Sequence, residues 1–305
     1  MNLSRKYKNP CDVINELNTL KAKVLKLYPK FLDRIVSRFI FKKFNFKNEK
    51  IGKFAYATIC NKKSFNMVLA SIYSLQKNFL LSPSQYFIVS DGSWRSEDAL
   101  KFFSKYGLSV TPVSWETCAG YYRHELPELS LWAEKQIWGK KMASILYLSE
   151  RTGVLFSDPD ILWYSSPFNA IELENLTYKV SVDNSINYDD KCISHLHLEK
   201  LLKREPVNCG VVYLKGGLAT LNDNAINCIK YESENPGKFA EQTVFAALDE
   251  KYDCRWKMTE IFSDIYDVYN IFSCKNSLST EGLIARHYLW LLKWAYWHDF
   301  FKKIV

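Results

Sequence analysis

Two carboxylates stand two residues apart in Asp158-Pro159-Asp160, directly after the apolar run Gly153-Val154-Leu155-Phe156. Oxygens at that spacing suit a hard divalent cation and leave its other positions for the oxygens of a diphosphate. Apolar residues flank the pair on both sides, with Ile161-Leu162-Trp163 following it. The pair is therefore expected at the end of a central strand, with limited exposure. Two ionised carboxylates side by side are costly there unless a cation neutralises them. The competing reading is a turn in which Asp158 caps a loop or helix, since a bare Asp-x-Asp says little by itself.

The elements that must position this pair follow from hydrophobic periodicity. Short apolar runs at 54–60, 86–90, 108–113 and 153–156 predict strands, the second ending in Asp91-Gly92 and the fourth running into Asp158. Helical patterns fill the intervals at 64–78, 99–106 and 134–149. Such alternation predicts an α/β fold with a mostly parallel sheet and flanking helices, in which ligands bind beyond the strands' carboxyl ends. Further on, 179–182 and 207–214 read as strands, and 218–233 and 241–248 as helices. Residues 11–45 read as helical, broken in two by Pro29. The expected organisation is a basic helical extension over 1–50 and one domain over 51–305.

The 305 residues are 48% hydrophobic and 24% charged, enough apolar material for a large core. No stretch reaches the roughly 18 consecutive apolar residues of a membrane-spanning helix. The polar start, Met1 to Pro10, does not read as a signal peptide. A cytoplasmic location is expected. The net charge of +8 is fed partly by Lys21, Lys23, Lys26, Lys30, Lys42, Lys43, Lys47, Lys50 and Lys53. Such a patch fits a peripheral contact with the inner membrane surface or an anionic substrate, and no nucleic-acid-binding motif accompanies it. Nucleic acid is not an expected partner. The eight cysteines form no Cys-x-x-Cys pair, so they are expected as buried or idle thiols, without zinc or a disulfide framework.

Lys140-Lys141-Met142, then Gly153 through Trp163, then Ser166-Pro167-Phe168 resemble the pattern of the nucleotide-diphospho-sugar transferases. That pattern is a lysine-bearing helix, a strand, Asp-x-Asp, an apolar strand and a proline. It is typical of GT-A-fold glycosyltransferases, above all the retaining galactosyltransferase, glycogenin-like and extensin-arabinosyl-type enzymes. Val207-Asn208-Cys209-Gly210 resembles the family's Asn-x-Gly strand beside the sugar. Glu241-Gln242-Thr243 resembles its Asp-Gln helix start, with Glu in place of Asp. The likeness spans roughly residues 54–290, and it rests on order and spacing together.

The resemblance implies a GT-A-type Rossmann-like domain and a divalent metal, Mn2+ or Mg2+, on Asp158 and Asp160. It further implies a nucleoside diphosphate sugar donor, a UDP-sugar first of all, and a glycan or other hydroxyl acceptor, with retention of configuration. His287 matches the family's third metal ligand and Lys293 its diphosphate lysine, although Trp290 stands where the family has Gly. The alternative there is a tryptophan-rich helix over 288–301. Thr58, Cys60, Asn61 and Asp91 match the places that receive base and ribose, although Asn and Asp also suit plain turns. Lys140 and Lys141 are candidates for the diphosphate. Asp183 matches the carboxylate on the sugar hydroxyls, and Asn208 and Gln242 the groups nearest the anomeric carbon. Glu241 is a candidate nucleophile or electrostatic support. His195 and His197 are expected at the surface, and His124 and His298 carry no assignment. Two other classes stay open. A sugar-nucleotide-forming nucleotidyltransferase would normally show a glycine-rich phosphate loop, and 59–63 has no glycine. A non-catalytic nucleotide-sugar-binding protein on the same fold would tolerate the departures at Trp290 and Glu241.

Overall fold

Strand β1 (Phe54–Cys60) sends Phe54, Tyr56 and Cys60 into one hydrophobic cluster and Ala55, Ala57 and Ile59 into another, and all seven of its residues are buried. A strand apolar on both faces needs cover on both sides. The computed structural model, which describes residues 51–79, 81–263, 280–289 and 293–305, supplies that cover.

The central sheet has seven strands in the order β3-β2-β1-β4-β7-β6-β8. These are β2 (Gln85–Ser90), β3 (Thr111–Ser114), β4 (Gly153–Ser157), β6 (Tyr178–Val182), β7 (Val207–Leu214) and β8 (Arg255–Trp256). The pairs β3–β2, β2–β1, β1–β4 and β6–β8 are parallel, and β7 runs antiparallel to both its neighbours. A second, three-stranded sheet has the order β5-β10-β9, from β5 (Ile161–Trp163), β9 (Ile261–Ser263) and β10 (Ala285–His287). This is the mixed α/β, mostly parallel architecture expected from the sequence.

One face of the central sheet is covered by α1 (Phe65–Asn78) and α2 (Ser96–Ser104), with Tyr288, Tyr296 and Trp297 of the C-terminal segment. The other is covered by α3 (Trp115–Tyr121), α4 (Pro127–Lys135) and α5 (Ile137–Ser149). The shorter helices α6 (Ala170–Asn175) and α7 (Asp190–His195), then α8 (Asp223–Glu234) and α9 (Ala240–Tyr252), complete the layers, and α10 (Lys293–Asp299) runs into a π-helical turn, Phe300–Ile304.

Several boundaries differ from those expected. The helix over 134–149 is two helices, split at Gln136, whose φ of −145° and ψ of 150° are extended. The two pack so closely that a Cβ on Gly139 would lie 2.5 Å from the Ala133 nitrogen. The helix over 218–233 begins at Asp223, where the Asn222 side chain caps it by accepting from the Ala225 N–H. His287 lies in a strand rather than at the head of a helix. His195 and His197 are exposed, as expected. Cys60, Cys118, Cys192, Cys209 and Cys228 are buried free thiols, and Cys254 is half-buried. Among the described residues, no helix is long and apolar enough to cross a membrane. The helices expected over 11–45, Cys11, Cys274, Trp290 and the side chain of Lys293 lie outside the described residues.

Candidate functional site

The small sheet brings the acidic pair to its partner. Because β5 starts immediately after Asp160 and β10 pairs with it antiparallel, His287 registers with Ile161 and the Tyr288 N–H donates to the Asp160 carbonyl at 2.9 Å. His287 Nε2 then lies 3.3 Å from Asp160 Oδ1 and 3.8 Å from Asp158 Oδ2. One ligand atom from each of Asp158, Asp160 and His287 falls within 4.8 Å of the others, and such a group could hold a metal ion. The carboxylates are 25% and 18% exposed and the imidazole 7%, so the acids stay open toward solvent while the histidine backs them. Burial opposes a charge on His287. The Asp160 carboxylate and its hydrogen bond, with Asp158 behind, outweigh that and raise the pKa above the ordinary histidine value. The pocket between these groups favours positive charge.

Room for the imidazole is made by β7. Its register with β6 shifts between Val180 and Ser181, so that Val180 faces Val212 while Ser181 faces Asn208. This irregularity re-aims the strand locally. The Ser181 hydroxyl spans the distortion by donating to the Asn208 carbonyl at 2.6 Å. Within it sits Gly210, where a Cβ would lie 2.5 Å from both Cε1 and Nδ1 of His287 and 2.8 Å from Asn208 Oδ1. Gly210 also accepts, through its carbonyl, the Asp158 N–H at 2.8 Å. The Asn-x-Gly segment thus fixes Asp158 and leaves space for His287 in one stroke. Asn208 Nδ2 donates to Asp183 Oδ2 at 2.9 Å and to Ser263 Oγ at 3.3 Å. Burial pushes the Asp183 carboxyl above its usual range, partly offset by that Asn208 bond.

Behind the acids lies a buried charge cluster. Lys141 on α5, 4% exposed, puts Nζ 2.8 Å from Asp158 Oδ1 and 4.0 Å from Glu241 Oε1. The Cys209 thiol donates to Glu241 Oε1 at 3.2 Å. Burial pulls the Lys141 pKa down, but the Asp158 and Glu241 charges more than reverse it, so the ammonium stays protonated. Burial raises the Glu241 pKa against the pull of Lys141. Gln242, the next residue, donates from Nε2 to the Val207 carbonyl at 3.1 Å. Neither Cys209 nor Ser263 stood out in the sequence. Cys209 is the variable middle residue of Asn-x-Gly, and Ser263 ends a three-residue strand with no readable period.

In front of the acids a cleft of about 240 Å³ opens at the carboxyl ends of β1, β2 and β4. Ile59, Cys60, Asn61, Met67, Trp138 and Asp91 line it, together with Lys141, Asp158 and Asp160. Asn61 and Asp91 therefore share a wall with the acidic pair. Thr58 is one step deeper, fully buried, with an Oγ1 that has no hydrogen-bond partner among the described residues. Lys140 points to the far rim. Its Nζ donates to the Asp91 carbonyl at 2.8 Å and sits 4.3 Å from the centroid of the Trp115 ring. Asp183, Asn208, Glu241 and Gln242 gather on the other side of the acids, around the distorted part of β7.

Solved structures with a similar chain path include the galactosyltransferase LgtC in complex with donor and acceptor sugar analogues, at 11% identity and a TM-score of 0.45, covering 77% of this chain and 87% of that one. Mouse xyloside xylosyltransferase 1 in its apo form has 10% identity and a TM-score of 0.46, over 79% and 98% of the two chains. The glycosyltransferase GlyE of Streptococcus pneumoniae has 12% identity and a TM-score of 0.47, over 82% of this chain and 60% of that one. No family model and no curated protein matches the sequence. At such identities and scores, no residue role is carried over from these neighbours.

Proposed function

We propose that the protein is a metal-dependent glycosyltransferase that moves a sugar from a nucleoside diphosphate sugar, first of all a UDP-sugar, to a hydroxyl acceptor such as a glycan, with retention. The observation that carries this reading is the convergence of Asp158, Asp160 and His287 beside a cleft at the carboxyl ends of parallel strands. The donor set fits the cation: two carboxylates and an imidazole suit manganese or magnesium, and Gly210 keeps open the space that the imidazole needs. Asp158, Asp160 and His287 would hold the cation, which when bound would supply Lewis-acid stabilisation of the charge on a departing diphosphate.

The remaining roles belong to side chains. Lys141 neutralises one oxygen of Asp158, which leaves the other oxygen facing His287. Ile59, Met67 and Trp138 offer apolar surface to a base, with Asn61 and Asp91 assigned to the ribose side. Thr58, fully buried behind the cleft, does not reach it, which corrects the role expected of it. Asp183, held by a hydrogen bond from Asn208, is assigned to the sugar hydroxyls, and Asn208 and Gln242 to the side of the anomeric carbon. Lys140, tied to the Asp91 carbonyl and the Trp115 ring, is not assigned to the diphosphate. Glu241 is turned into the cluster with Lys141 and Cys209 and is 3% exposed. That favours electrostatic support over nucleophilic attack, and with it front-face substitution assisted by the leaving phosphate.

The test is UDP release from a panel of UDP-sugars in the presence of Mn2+. At least one donor should release UDP with the native protein and none with Asp160→Ala. Release that persists in Asp160→Ala, or no release from any donor, contradicts the reading.

A further inference from the structure

On the side of β10 away from the acids, a second polar cluster grips the residues on either side of His287. Side chains alternate along a strand, so Arg286 and Tyr288 share the face opposite to His287. Both end on one carboxylate. Arg286 Nη1 donates to Asp299 Oδ2 at 3.1 Å, and the Tyr288 hydroxyl donates to the same oxygen at 2.6 Å. Arg286, Tyr288 and Asp299 are 1%, 0% and 3% exposed. Tyr164, just past β5, joins through a 2.6 Å hydroxyl contact with Tyr288. The Arg286 guanidinium also lies 4.7 Å from the Tyr288 ring centroid and 5.8 Å from that of Phe262, on β9. The carboxylate on which Arg286 and Tyr288 meet therefore comes from the last residue of α10.

We infer that Asp299 is a positioning residue for the cation site: by clamping Arg286 and Tyr288 it sets the strand position of His287 relative to Asp158 and Asp160. The inference rests on the proposed cation site. Its physical basis is that the buried Arg286 guanidinium and the Tyr288 hydroxyl both lose a bond to one oxygen when the Asp299 carboxylate goes, and their neighbour on the strand moves with them. Tyr288 doubles the effect, because its N–H holds the Asp160 carbonyl while its hydroxyl holds Asp299. One side chain of the C-terminal helix thus reaches two of the three ligands through the backbone. Groups outside a ligand shell that orient it commonly change metal affinity by 10–100-fold when removed.

The experiment measures Mn2+ affinity by calorimetric titration for the native chain, Asp299→Asn and Tyr288→Phe, with thermal unfolding alongside. Asp249→Asn serves as the control, since it removes a buried carboxylate of another cluster. The account predicts about a tenfold loss of Mn2+ affinity in Asp299→Asn. A smaller loss is expected in Tyr288→Phe, which keeps the Arg286–Asp299 pair and so remains readable if Asp299→Asn does not fold. Asp249→Asn should bind Mn2+ as the native chain does, whatever its unfolding temperature. Native affinity in both Asp299→Asn and Tyr288→Phe overturns the inference, as does an equal loss in the control. A native chain that binds no Mn2+ defeats the cation reading itself.

Discussion

Two acid clusters in this molecule solve the same electrostatic problem in opposite ways. On α9, Asp249 is 1% exposed and receives Arg204 Nη2 at 3.2 Å and Arg255 Nε at 2.6 Å, while Asp253 accepts from the same Arg204 Nη2 and from Arg255 Nη2. The buried Asp249 there meets two permanent cations; the exposed Asp253 shares both, and Glu205, at 3.7 Å, shares Arg255. At Asp158 and Asp160, by contrast, Lys141 reaches Asp158 at 2.8 Å and the imidazole of His287 lies 3.3 Å from Asp160. His287 contributes charge only when protonated. The second arrangement holds Lys141 on one oxygen of Asp158 and opens to a cleft. A buried carboxylate met by guanidiniums holds a fold together, whereas carboxylates that open to a cleft at a strand end are placed to receive a ligand.

The comparison breaks first at Asp160. Asp160→Ala is expected to lower metal-dependent turnover on the order of 10³-fold, about 4 kcal/mol of transition-state stabilisation, with little change in unfolding temperature. The mirror experiment is Asp249→Ala, which takes the buried carboxylate from two guanidiniums and leaves them the exposed Asp253. It should cost about 3–5 kcal/mol of stability in denaturant unfolding and leave the Mn2+ affinity of the folded protein unchanged. If both substitutions act alike on stability and on metal binding, the two clusters are the same kind of object and the contrast is empty.

Smaller effects sharpen it. Gly210→Ala adds a methyl group that would lie 2.5 Å from the His287 ring. The imidazole must give way, and Mn2+ affinity should fall about 10–100-fold, read by titration. Glu232 offers a third solution: fully buried, with no cation partner among the described residues, its carboxyl is pushed by burial from 4.5 to about 7. It stays protonated while the unfolded chain ionises. Its contribution to stability is therefore complete below pH 4.5 and is lost as pH rises toward 7. Glu232→Gln should flatten that part of the pH profile of the unfolding temperature. An unchanged slope would mean that the carboxyl is not held neutral.

Much of the molecule was legible in the sequence, for reasons that differ by region. Strands β1, β2 and β4 are uninterrupted apolar runs, and burial on both faces of a parallel sheet demands just such runs. The carboxyl ends of such strands form one rim, and Asn61, Asp91 and Asp158 stand on it. Strand β10 was not legible, because three residues with an arginine and a histidine among them show no period. His287 entered through a resemblance in spacing, and the strand pairing with β5 explains its reach. The contacts of Cys209 with Glu241 and of Arg286 with Asp299 were invisible, since neither composition nor spacing reports a meeting across separate elements. The split of one expected helix at Gln136 was hidden for a related reason: the apolar pattern runs through it, and only the close packing around Gly139 shows the break.

The most direct test of the central claim is UDP binding, titrated with and without Mn2+, for the native protein and for Asp160→Ala. The account predicts tight binding only when the native chain and the metal are both present, with Asp160→Ala showing no gain from Mn2+. Equal UDP affinity with and without the metal in the native chain would contradict it.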